Sequence, residues 1–154
     1  NGVSGLFVVG GKRGGTGRAL YLGHDEICRI LTQRLRKRPP LLVASPGVGK
    51  DCWAAGEDCI VRLDADTVDA ESAQSFGIPL AMALDLIGIP WLLTSDKVLR
   101  RHSGGASTEW VVYHERPSDK PPFVAIGFTC NGAHVLDAGG NTTVIVPHDI
   151  HLFS

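Results

Sequence analysis

The chain has 154 residues, 44% hydrophobic and 20% charged, a globular composition that argues against disorder and coiled coil and fits one domain with one core. A net charge of −1 gives no global attraction to nucleic acid or anionic membrane, so nucleic acid is not an expected partner. Nineteen Gly and nine Pro, without a three-residue period, do not mean collagen and disfavour a helical bundle.

Seven of the first 17 residues are Gly. Leu6-Phe7-Val8-Val9 and Arg18-Ala19-Leu20-Tyr21-Leu22 predict two strands of a hairpin with a flexible tip. Residues 1–23 therefore read as a glycine-rich hairpin or arm, and 24–154 as a single α+β domain. His24 to Arg38 predicts a helix, with Ile27, Ile30, Leu31 and Leu35 on one face. Asp25 and Glu26 open it, and Arg34, Arg36, Lys37 and Arg38 close it, as the helix dipole prefers. Leu41-Leu42-Val43-Ala44 predicts a strand, and a short helix is expected from Asp51 and Cys52. Cys59 to Leu63 suits either a continuation of that helix or a strand.

A second helix is expected over Glu71 to Ile87, with Leu80, Ala83, Leu84 and Ile87 inward. Gly88-Ile89-Pro90 breaks it. Trp91-Leu92-Leu93 reads as extended. Strands follow at Glu109 to Tyr113, Phe123 to Thr129, Ala133 to Asp137 and Thr142 to Val146. Gly139-Gly140-Asn141 makes the last hairpin turn. Helices first and antiparallel strands afterwards predict an α+β fold, its N-terminal helices packed on a mostly antiparallel sheet.

The cysteines are Cys28, Cys52, Cys59 and Cys130, and no pair has CxxC spacing. Buried free thiols in a reducing intracellular compartment are the plain reading. No apolar run approaches the ~20 residues of a membrane span, and no signal-peptide core is present. The start at Asn1 suits a processed product, one delivered into a host cell or released from a larger precursor. Asn141-Thr142-Thr143 fits the glycosylation sequon.

Two motifs share one loop. Ala44 to Lys50 has the Walker A form with Ala at its first glycine position, which would cradle phosphate on backbone N–H groups. Asp51, however, stands where Mg²⁺ binding needs Ser or Thr. Beyond it comes Cys52-Trp53-Ala54-Ala55. A cysteine at a helix N-terminus has its thiolate stabilised by the dipole and by unpaired N–H groups.

This tetrapeptide resembles the opening of the catalytic helix in papain-like cysteine peptidases, notably the bacteriocin-leader peptidases and certain bacterial type III effector proteases. The resemblance implies a papain-like fold and a thiol peptidase acting on a peptide or protein substrate without a cofactor. Cys52 would be the nucleophile and His134 the base, with Asp149 orienting the imidazole. His114 is the rival base. The chain departs from that pattern in lacking a Gln shortly before the Cys, the nearest being Gln33. Gly56 also weakens a helix there by about 1 kcal/mol relative to Ala.

Other readings compete. A non-enzymatic binding or assembly module is one, and a degenerate P-loop domain is another. His148 and His151 flank Asp149 and with His134 could hold a metal, but no HExxH-like helix supports that, and no metal is expected. His24 and His102 read as solvated, and Trp53, Trp91 and Trp110 as core.

Overall fold

A computed structural model describes residues 5–10, 18–23, 28–30, 41–46, 52–63, 68–71, 73–104 and 107–147. These residues contain fourteen strands and no helix. The first sheet holds β1 (Gly5–Gly10), β2 (Arg18–Gly23) and β3 (Cys28–Ile30). The second holds β4 (Val43–Pro46), β5 (Cys52–Gly56), β6 (Cys59–Leu63) and β7 (Val68–Glu71). The third holds β8 (Pro79–Leu84), β9 (Pro90–Thr94), β10 (Lys97–Gly104) and β11 (Ser107–Glu115). The fourth holds β12 (Phe123–Thr129), β13 (Gly132–Asp137) and β14 (Thr142–Ile145). Every sheet is an antiparallel meander, each strand bonded to the next in sequence.

The expected α+β, papain-like architecture is therefore overturned by an all-β chain among the described residues. Of the helix expected at His24 to Arg38, Cys28–Ile30 is a strand and the remainder lies outside the described residues. The helix expected from Cys52 is strand β5, paired with β4 and β6. The helix expected over Glu71 to Ile87 contains the end of β7, all of β8 and a turn. Its supposed inward residues Leu80 and Ile87 are exposed. The physical reason is double-sided burial. A strand covered on both faces loses its polar alternation and reads as an apolar run, which a helix template also fits.

Successive sheets stack face to face. Trp53, Ala55 and Ile60 of the second sheet meet Met82, Leu92, Leu99 and Trp110 of the third. From the opposite face of the third sheet, Trp91, Leu93 and Val98 meet Phe123, Ala133 and Val135 of the fourth. First strands lie against first strands: β4 against β8, and β8 against β12, with β1 approaching β4. Meanders stacked in chain order with their first strands together pack as successive blades do in a β-propeller.

Polar ties reinforce the stack. Arg101 on β10 makes a bidentate pair with Glu71 on β7, with N–O distances of 2.9–3.1 Å. Trp110 Nε1 donates to the same carboxylate at 2.6 Å. The Arg101 guanidinium lies 5.4 Å from the Trp53 ring centroid. Asp85 and Asp137 build two copies of one turn. In each, the carboxylate accepts N–H bonds from the residues two and four positions on (Ile87 and Ile89; Gly139 and Asn141). Gly88 and Gly140 stand three positions on, with φ of 85° and 84°, where the left-handed conformation suits glycine.

Candidate functional site

Cys52 opens β5 opposite Pro46 and Leu63. It is buried, and its Sγ lies 3.9 Å from its neighbour's carbonyl, Trp53 O. Along β5, Trp53 and Ala55 face the third sheet, so Cys52 and Ala54 face the other way. Val61 and Leu63 lie opposite them in register and are fully buried. No helix dipole acts on this thiol, because β5 is a strand.

His134 lies on the central strand of the fourth sheet, opposite Gly127 and Val144. Ala133 and Val135 face the third sheet, so His134 points away from it. Its Nε2 is 2.7 Å from Thr129 Oγ1. Cys52 and His134 therefore occupy faces that point apart, on either side of the third sheet. At about 10 Å per face-to-face spacing, two such spacings put them on the order of 20 Å apart.

His114 sits opposite Val98, its ring centroid 5.7 Å from that of Phe123. This places it between the third and fourth sheets, also remote from Cys52. Asp149, His148, His151 and His24 lie outside the described residues. The structure thus does not bring Cys52 to either histidine.

The Walker-like segment fares similarly. Ala44 to Pro46 belong to β4, and Gly47 to Lys50 lie outside the described residues. Strand β5, not a helix, begins at Cys52 and returns antiparallel beside β4. A P-loop needs the N–H groups of a helix N-terminus, and that element is missing here. No group of three or more metal-ligating side chains occurs among the described residues, and no helix there is long and apolar enough to cross a membrane.

The interacting polar groups are ones the sequence reading passed over. Asp85 accepts from Trp91 Nε1 at 2.9 Å and faces Arg100 at 3.7 Å. The buried Arg100 guanidinium lies 5.6 Å from the Trp91 ring centroid and 5.7 Å from that of Tyr113. At the β5–β6 turn, Asp58 (φ 51°) accepts from the Gly77 and Phe76 amides at 2.7 and 2.8 Å and from Ser75 Oγ at 3.0 Å. The Gly77 and Phe76 N–H bonds lower its pKa first, with Ser75 and Lys97 assisting against a smaller contribution from burial. Burial pushes the Cys59 thiol up. Asp-x-x-Gly, present at Asp85 and Asp137, was the available sequence signal for the two turns.

All of these groups hold turns and sheets together, and none converges on an open cleft with a nucleophile. No protein-family model matches the chain, and a search of curated proteins finds no match.

Proposed function

We propose that this chain is a non-enzymatic protein-binding or assembly module built from stacked meander sheets. The observation that carries the reading is the third sheet. It is buried on both faces by its neighbours, and its ionised groups tie sheet to sheet. Stacked meanders offer rigid faces and edges to partners, and such repeats commonly serve recognition. The separation of Cys52 from His134 and His114 supports the same reading.

Alkylation of the folded protein against pH, mapped residue by residue, tests it. Exposed Cys130 should react first. Cys59 should follow only as pH rises above the ordinary thiol range, and buried Cys52 should be slow throughout. A Cys52 that reacts fastest at mildly acidic pH would overturn the reading in favour of a thiol peptidase.

A further inference from the structure

We infer that the outward face of the fourth sheet, β12–β14, is a docking surface for the same face of a second copy of this chain. The inference rests on the assembly reading above and names its partner.

The outward face continues an interface already formed. Where the third sheet receives the fourth, side chains grow outward from the first strand. Ala81 lies on β8, Trp91 and Leu93 on β9, and Tyr113 on β11. Small residues let the first strands close together, while larger ones fill the widening gap beyond. The outward face of the fourth sheet repeats this order. Ala125 and Gly127 lie on β12, His134 and Leu136 on β13, and Val144 on β14, with Val146 just after it. A Cβ built on Gly127 would meet nothing within 4 Å.

The face is apolar and open. Val144 is 48% exposed, Val146 46% and Leu136 36%. Acidic and basic side chains are absent from these register positions, and the imidazole of His134 is engaged by Thr129 within the same face. Two copies can therefore approach without like-charge repulsion.

The choice of a second copy follows from what the rest of the chain offers. The third sheet is covered on both sides. The second is covered by the third on one side, and Cys52, Ala54, Val61 and Leu63 are buried on its other side. Among sheets with described side chains, the fourth alone leaves an apolar face uncovered, so another copy meets it with that same face. Such a pairing is isologous and closes as a twofold dimer. A three-stranded face is smaller than the ~800 Å² per partner of a standard interface, so dimerisation should depend on concentration.

Sedimentation velocity on the intact chain over a concentration series tests this. The wild type should shift from monomer to dimer. Val144→Lys and, separately, Thr142→Lys should weaken dimerisation by at least about tenfold with unchanged thermal unfolding of the monomer. Leu86→Lys, which alters a more exposed apolar residue away from this face, should leave the dimer intact. A wild type that stays monomeric at every concentration overturns the inference. So does a dimer that survives both lysine substitutions, or one lost in Leu86→Lys. A monomer with slow Cys52 overturns the dimer alone, whereas a dimer with acid-reactive Cys52 overturns the module reading alone.

Discussion

The third and fourth sheets differ in one respect that governs the rest. Both are antiparallel meanders, and both use the same aspartate turn. The third is covered on two faces and the fourth on one. In the third, β9 is buried at all five positions, from Pro90 to Thr94. In the fourth, buried Ala133 and Val135 alternate with the more accessible His134 and Leu136. The same backbone topology therefore carries two different sequence patterns, because burial, not strand pairing, sets the pattern.

That difference sets the scale of each substitution. Trp91→Ala in the third sheet should cost about 3–5 kcal/mol in denaturant unfolding, enough to threaten folding. Val144→Ala on the open face should change the stability of the monomer by no more than about 0.5 kcal/mol. Equal costs would erase the distinction between the two sheets.

The paired turns sharpen it. Asp85→Ala removes the acceptor for Trp91 Nε1 and the carboxylate beside buried Arg100. It should cost about 3 kcal/mol, since a buried cation is left behind. Asp137→Ala removes similar turn bonds without a buried cation and should cost about 1 kcal/mol. Chemical denaturation of the two variants side by side measures the gap.

A smaller effect belongs to Gly140→Ala. Nothing crowds the site, so the cost is the left-handed backbone alone, about 1 kcal/mol. Gly132→Ala should cost more, because its Cβ would run into the Ile145 carbonyl on β14. Thermal melts that rank these two the other way would refute the close approach of β13 to β14.

The mildest effect is on pH. The Asp58 pKa is lower folded than unfolded. Its contribution is thus fully present above the ordinary carboxylate range and is lost as pH falls through the folded value. Asp58→Asn keeps the left-handed turn but should flatten that acid-side loss in pH-dependent unfolding.

Legibility in the sequence followed the same division. Phe123–Thr129 was readable to the residue, and Ala133 to Asp137 and Thr142 to Val146 to within one residue. One open face preserves alternation there, and Gly139-Gly140-Asn141 marks the turn. The third sheet was less readable. Pro79–Leu84 looked helical because neither face is polar along its length. Strand β10 passed unnoticed because Lys97, Arg100, Arg101 and His102 suggest solvent. Arg100 is nevertheless buried, held between Asp85 and two aromatic rings, an environment made wholly by other strands. At the proposed catalytic centre, Cys-Trp-Ala-Ala suited a tightly packed helix. It suits a strand buried on both sides equally well, because small and apolar residues satisfy either. Cys52 therefore could not be distinguished from a core thiol without knowing which element carried it.

Pairing only between sequence neighbours has a consequence for how such a chain is made and lengthened. Each sheet can form from a contiguous stretch as it emerges, without waiting for distant segments, so loop-closure costs stay small for an all-β protein. A further meander could be appended or deleted without rethreading any existing hydrogen bond. The chain then behaves as a line of units whose cooperativity depends on the interfaces between neighbours.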